Sequence, residues 1–208
     1  MSRVLGIIGA GKLGTTIGRA ASDAGWQVDF FDSAPADLTS LIVEAMVPDA
    51  RLVPLTDLVA DSDIVMLAVP FSLSDQIDYS LLDGKVVLDP MNLWEPVDGP
   101  APTTTERNGS TSQLVASRNP RMRLVKSLNH LGYHDYTADA RSAEVPSRRA
   151  VAVASDDREA RELVSQLVDD IGFDPVPVPF DRSRLLEPNG PVFGTWLDAT
   201  SMRKVLDA

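Results

Sequence analysis

GIIGAGKLGTTIG, residues Gly6–Gly18, decides the fold. Five of its 13 residues are glycine. Glycine inside a strand or helix costs roughly 0.5–1 kcal/mol relative to alanine, so this density implies a need for bare backbone. Gly9, Gly11 and Gly14 stand at the spacing G-x-G-x-x-G. The apolar run Val4–Ile8 before them reads as a buried strand. A helix is predicted from Lys12 to Ala24, stopped by Gly25 in the position glycine favours beyond a helix end. Val28–Phe31 reads as a second strand, with Asp32 at its end.

Working outward, the pattern repeats. A helix is predicted over Pro35–Met46, a short strand near Leu52 and a short helix at Thr56–Ala60. Asp63–Val69 (DIVMLAV) is the continuous apolar run of a strand buried on both faces, closed by Pro70. One more short helix precedes the strand Lys85–Asp89. Strands alternating with helices imply βαβ units and a parallel sheet. Asn92–Gly109, rich in proline and threonine, reads as a long loop. A helix near Ser112–Ser117 and a strand at Met122–Val125 follow, then a less regular stretch over 129–148. Arg149–Ala154 is again a strand. The next helix is capped by Ser155 or Asp156 and ended by Gly172, and Pro175–Pro179 is extended, as at a sheet edge. The expected class is α/β, a Rossmann doubly wound, mostly parallel sheet with a small C-terminal subdomain. Residues 1–128 and 149–179 would form the sheet domain, and 129–148 with 180–208 a small part covering the substrate. On this reading, removing the chain after Pro179 spares binding at the glycine loop.

Composition excludes several function classes. With no cysteine among 208 residues there is no disulfide, thiolate nucleophile or thiolate metal site. The net charge is −11, and residues 1–104 hold 5 Lys and Arg against 15 Asp and Glu, which argues against a nucleic-acid partner. Residues 105–208 carry 14 Lys and Arg against 15 acids. No run of about 18 apolar residues is present, so no membrane span is expected, and a cytoplasmic location is the default. The expected partner is a small-molecule substrate, with a homodimer left open.

The glycine spacing acquires meaning from its place between a strand and a helix, followed by a strand that ends in an acid. That context fits a dinucleotide site. Gly9 would permit the tight turn, Gly11 the approach of the diphosphate, and Gly14 close packing of helix on strand. The helix N-terminus offers free N–H groups to the diphosphate. Asp32, 18 residues beyond Gly14, suits the ribose hydroxyls of NAD and would repel a 2′-phosphate; the alternative is a helix or turn cap before Pro35.

DIVMLAVPF (Asp63–Phe71), VVLDPMN (Val86–Asn92), LVKSLNHL (Leu124–Leu131), SQLVDDIGFDPV (Ser165–Val176) and SRLLEPNGP (Ser183–Pro191) follow in this order. With the glycine motif, the chain resembles the coenzyme F420-dependent NADP oxidoreductases over nearly its whole length. The resemblance implies hydride transfer between a nicotinamide and a deazaflavin lying face to face. It implies dinucleotide contacts at Ala10, Gly11, Lys12 and Leu13, at Val69, Pro70 and Leu73, at Met91 or Asn92, and from Asn129 to Tyr133. NADP-specific members carry a Ser-Arg pair after the second strand; here those places hold Asp32 and Ser33, with Asp37 nearby. The residues thus favour NAD(H), while the family favours NADP(H).

Other residues carry two readings each. Lys126 and Asn129 could orient the nicotinamide amide or an accepting ring, or be a solvent-reaching lysine and a loop asparagine. His130 and His134, spaced i, i+4, could share a helix face as metal ligands do, but Gly132 between them opposes a helix, and no metal site is expected. Trp94 and Trp196 could pack on a flat ring or simply pack. Arg141, Arg148, Arg182 and Arg184 could meet the anionic tail of F420 or a flavin phosphate, or balance surface acids. No nucleophile constellation stands out, and hydride transfer between two rings needs proximity and exclusion of water instead. The reading is an NAD(P)-dependent oxidoreductase acting with F420 or a flavin. The alternatives are a non-enzymatic NAD(P)(H) sensor or a short-tailed dehydrogenase of another small substrate. The second substrate, the direction of transfer and the oligomeric state stay open.

Overall fold

The structure, a computed structural model, describes residues 2–99 and 110–207. Eight strands form one sheet: β1 Val4–Ile8, β2 Gln27–Phe31, β3 Arg51–Leu52, β4 Ile64–Leu67, β5 Val86–Asp89, β6 Arg123–Lys126, β7 Ala150–Ala154 and β8 Asp174–Val178. Their order is 3-2-1-4-5-6-7-8. The first six run parallel, β7 is antiparallel to β6, and β8 is parallel to β7. This is the expected α/β, Rossmann-like architecture.

The helices are α1 Lys12–Asp23, α2 Ala36–Met46, α3 Leu55–Asp61, α4 Glu95–Asp98, α5 Thr111–Arg118, α6 Asp135–Ala138, α7 Arg158–Asp170 and α8 Ala199–Asp207. Strand side chains alternate between two faces. Leu5, Ile7, Ile64, Met66 and Val151 share one apolar cluster with Ile17 of α1, Val43 of α2 and Leu167 of α7. Ile8, Val65, Leu67 and Val87 point the other way, onto Leu58 and Val59 of α3 and Val115 of α5. Burial of β4 and β7 at every position explains why their sequences are unbroken apolar runs.

Element boundaries follow the sequence reading within two residues, with informative differences. The helix after β7 is capped by Asp157, whose carboxylate accepts the Ala160 N–H at 3.0 Å. Ser155 instead donates to the Leu124 carbonyl, and Asp156 accepts the Phe180 N–H. The Arg123 guanidinium lies against Asp157 and, with the Ala160 N–H, holds its carboxyl down at about 2. Of the expected loop Asn92–Gly109, Glu95–Asp98 form a helical turn, and the part from residue 100 to 109 lies outside the described residues.

Residues of both expected parts contribute to the apolar clusters. Tyr136 and Leu131 belong to the main apolar cluster. Leu186, Val192, Met202 and Leu206 of the tail fill the face of β7 and β8 formed by Ala150, Ala152, Ala154, Val176 and Val178. The tail is also tied to the sheet by main-chain bonds from Ala150 to Leu197 and from Gly194 to His130, both 2.8 Å.

Candidate functional site

Three glycines with one spacing have three different local demands. Gly9 has φ +111°, and a Cβ there would lie 2.4 Å from the Ala68 carbonyl oxygen. A Cβ on Gly14 would lie 2.2 Å from the Gly9 carbonyl oxygen. Both are required by the fold itself. Gly11 has φ −76°, open to any residue, and a Cβ there would meet nothing within 4 Å. The protein does not need glycine at position 11 for its own packing. Gly11 caps α1 with no side chain bonded to the helix end, and the first turn holds no acid. An uncapped helix start with bare backbone before it is a ready anion site.

Two cavities flank this loop. One, of about 230 Å³, is lined by Gly9, Asp32, Ser33, Leu55, Val69 and Leu73, with Ile77 and Asp78 beyond. The apolar positions 69, 73 and 77 recur every four residues, the signal by which Ile77 could have been found from sequence. Asp32 bridges the loop and the β2 exit: its Oδ2 accepts the Ala10 N–H at 2.7 Å and its Oδ1 the Ala34 N–H at 2.8 Å. It thus makes the turn contacts of the structural reading, and each oxygen keeps a lone pair for a further donor. The second cavity, a groove of about 600 Å³, runs past Ala10, Gly11 and Lys12 to Tyr133 and His134, with Ile42 and Met46 on its far side. Lys12 Nζ stands 3.5 Å from the Tyr133 hydroxyl and 5.3 Å from the centre of its ring. Leu13 turns its side chain into the core instead.

At the ends of β5 and β6, Asn92 and Asn129 bond each other. Asn92 Nδ2 donates to the Asn129 carbonyl at 2.6 Å, and Asn129 Nδ2 donates to Asn92 Oδ1 at 2.9 Å and to the Leu186 carbonyl at 2.7 Å. The backbone acceptors fix the orientation of both amides. Asn129 Oδ1 is buried with no partner among the described residues. Leu128, just before it, has φ +57°, a strained conformation for a branched side chain, and such strain gathers at functional sites.

Several expectations need correction. Lys126 neither follows β6 nor reaches solvent or a bound ring: it ends β6 fully buried, with Nζ on the Met91 carbonyl and 3.4 Å from Asp89 Oδ2. Met91 lies in the core, and its N–H goes to Asp89, so of the pair Met91 and Asn92 only Asn92 is available to a ligand. Pro70 is exposed and caps the two-turn 3₁₀ helix Phe71–Gln76. His130 and His134 are not paired on a helix face: His130 is buried and His134 exposed. His130 Nε2 accepts the Ala152 N–H, and burial lowers its pKa to about 3, with the charges of Arg149 and Lys126 adding to the effect. It is therefore neutral and unsuited to acid–base work. Arg148 is buried against Asp169 and Asp174 and so is not available to an anionic tail, while Arg141 is exposed with its Nη1 on the Ala138 and Ala140 carbonyls. Among the described residues, no group of three or more His, Asp or Glu suited to a metal is found, and no helix is long and apolar enough to cross a membrane. Sequence reasoning missed the Leu186 carbonyl, since a main-chain acceptor leaves no residue-type signal.

With this geometry in place, known proteins can be compared. Residues 4–93 match the family model described as NADP oxidoreductase, coenzyme F420-dependent. The resemblance read from the motifs therefore holds, carried by the part of the chain that builds the glycine loop and the first five strands. This is a family of NAD(P)-dependent oxidoreductases. The motifs after Leu93 lie beyond the match. Among solved structures, a hypothetical protein of Sinorhizobium meliloti superimposes with TM-score 0.79 at 20% identity, over 95% of this chain and 96% of that one. A protein of an Arthrobacter species, named as a candidate F420-dependent NADP reductase, gives 0.70 at 21% identity, over 88% and 89%. The 3-hydroxyisobutyrate dehydrogenase of Mycobacterium tuberculosis gives 0.61 at 13% identity, over 89% of this chain but 58% of its own. At these identities the likeness establishes the shared fold. Among curated proteins no sequence match is found.

Proposed function

We propose that this protein is an oxidoreductase that prefers NAD(H) and exchanges a hydride with a deazaflavin or flavin-type ring. The observation that carries the dinucleotide reading is Gly11: bare backbone at an uncapped helix start, where the fold asks for no glycine. The diphosphate would lie over Gly9–Gly14, the adenosine in the cavity of Asp32, Val69, Leu73 and Ile77, and the nicotinamide toward Asn92 and Asn129. Ligands of open α/β sheets bind at the carboxyl ends of the strands, where all these residues stand. Lys12 and Tyr133 would border the diphosphate and nicotinamide. When bound there, a reduced nicotinamide would supply a hydride from its C4, and the accepting ring would take one proton from solvent. The chain's own work is to hold two rings in contact and keep water out.

Asp32 carries the choice of cofactor. The cavity around it holds a second acid, Asp78, and no Lys or Arg among its described lining residues. A 2′-phosphate there would meet negative charge. Calorimetry with NADH and NADPH tests this: NADH is expected to bind at least tenfold more tightly, and Asp32→Ala to narrow the gap. NADPH binding as tightly as NADH overturns the reading of Asp32. Following NADH oxidation with F420, FMN, FAD and riboflavin in turn tests the reaction class.

A second reading, a dinucleotide sensor, draws on one observation. Leu38, Leu41, Ile42 and Met46 form an exposed apolar stripe on α2, and Ile42 and Met46 border the groove at the glycine loop. A protein that binds NADH and reduces none of the four rings would favour it.

A further inference from the structure

Helix α2 reads ADLTSLIVEAM over Ala36–Met46. At 3.6 residues per turn, Thr39 and Val43 come to one side, with Val47 just beyond, and all three are buried. Leu38, Leu41, Ile42, Ala45 and Met46 come to the outward side. Leu41 is 65% exposed and Leu38 53%, although leucine is among the residues most often buried. Only Asp37, Ser40 and Glu44 are left to make a polar strip, and it is narrow. A helix that is apolar over most of its circumference has the pattern of one covered on more than one side.

The outward stripe has two different edges. Along one, Ile42 and Met46 form the far wall of the groove that passes Gly11 and Lys12. Along the other stand the exposed carboxylates of Asp37 and Glu44, two turns apart on one line. The Ser40 hydroxyl donates to Glu44 Oε1 at 3.0 Å and holds it there. The surrounding chain has the same sign. From Asp29 to Asp63 it carries eight Asp and Glu against one Arg, and that residue, Arg51, is bound to Asp29.

We propose that the outward face of α2 docks an amphipathic helix of a partner protein, whose apolar stripe lies on Leu38, Leu41 and Ile42 and whose lysines or arginines line the edge that meets Asp37 and Glu44. The inference goes beyond the oxidoreductase reading and does not depend on it. Anchors at i, i+3, i+4 and i+8 are the spacing by which helices recognise one another. The large side chains of the stripe expose on the order of 400 Å² of apolar surface, the size of patch that marks contact sites. With a polar rim, such a patch forms the centre of an interface of about 800 Å² per partner. Charge selects the occupant, because complementary edges favour the right partner and like charges exclude the wrong one. A second copy lacks the complement. Two α2 helices packed face to face and antiparallel about a two-fold axis would set Asp37 and Glu44 against the same carboxylates of the other chain, between molecules of net charge −11 each.

Fluorescence anisotropy of a labelled peptide on the full-length protein tests the proposal. The probe is a helix of about five turns, with leucine at one-face spacing and lysine elsewhere, and its control has the same composition in scrambled order. The patterned peptide is expected to bind at least tenfold more tightly than the scrambled one. Leu38→Ser with Leu41→Ser should remove that preference at a melting temperature close to the parent's, because both residues lie at the surface. Leu81→Ser, at an exposed leucine elsewhere, should leave it intact. Asp37→Lys with Glu44→Lys should weaken the patterned peptide about tenfold at low salt and less at high salt. Equal binding of the two peptides, or a preference that survives the double serine variant, overturns the proposal. So does a parent protein that sediments as a dimer and becomes monomeric in the double serine variant, since a second copy would then be the occupant.

Discussion

Gly11 separates what folding requires from what a ligand requires. Gly9 and Gly14 are held by contacts of 2.4 Å and 2.2 Å that a Cβ would make with main-chain oxygens, whereas a Cβ at Gly11 meets open space. Gly11→Val should therefore fold with a melting temperature close to that of the parent and lose NADH binding by at least tenfold. Gly14→Val should fail to fold stably, because backbone cannot yield at that distance. Thermal melting together with calorimetry checks both. A Gly11→Val protein with full NADH affinity would mean that no diphosphate approaches the loop. The glycine-rich turn between β1 and α1 and the acid at the end of β2 were legible from residue types and spacing. The spacing assigned Gly9 to the turn, Gly11 to the diphosphate and Gly14 to packing; it did not show the atoms of Ala68 and Gly9 that make glycine obligatory at two of the three, which only the folded chain brings near.

The strand–loop junctions of β5 and β6 show where reading elements from sequence succeeds and where it stops. Both strands were legible as apolar runs. What lies between their ends was not: Lys126 was read either as orienting a bound ring or as reaching solvent, as lysines usually do. Instead its Nζ joins the Met91 carbonyl to Asp89, and Asp89 also accepts from the Met91 N–H at 2.9 Å and from the Ser112 hydroxyl at 2.5 Å. Both members of the pair are fully buried. The cluster pins the turn that presents Asn92, so Lys126 is a positioning residue. Breaking a buried pair from one side leaves an uncompensated charge and costs about 3–5 kcal/mol. Lys126→Met should lower stability by about that much, and adding Asp89→Asn should recover part of it. Urea denaturation of the single and double variants measures both. A single variant as stable as the parent would show that the pair contributes nothing to holding the turn.

At the scale of the whole molecule, the sheet's reversal after β6 explains the role of the tail. β6 and β7 are joined without a crossover helix long enough to return the chain, so β7 enters antiparallel and β7–α7–β8 forms a second parallel unit of opposite direction. That unit has two faces to cover. Val151 and Val153 are covered by α7, while Ala150, Ala152, Ala154, Val176 and Val178 await the last 30 residues. From sequence the tail looked removable, because glycine, proline and a modest helix suggest a cover over a cleft; its four inward apolar residues were too widely spaced to show as one periodic face. This packing leads us to expect the opposite result from truncation. Ending the chain after Pro179 removes Leu186, Val192, Met202 and Leu206, all buried to within 1%. Emptying one such leucine or methionine site costs about 2–5 kcal/mol, and four together approach or exceed the about 5–15 kcal/mol by which a domain of this kind is stable. The truncated chain should therefore be unfolded or aggregated, without native circular dichroism and without NADH binding. Leu186→Ala, which empties one site and keeps the carbonyl that Asn129 bonds, should lower the melting temperature while the folded protein still binds NADH. A truncated protein that melts cooperatively and binds NADH would show that the sheet closes its own core and that the tail is, after all, only a cover.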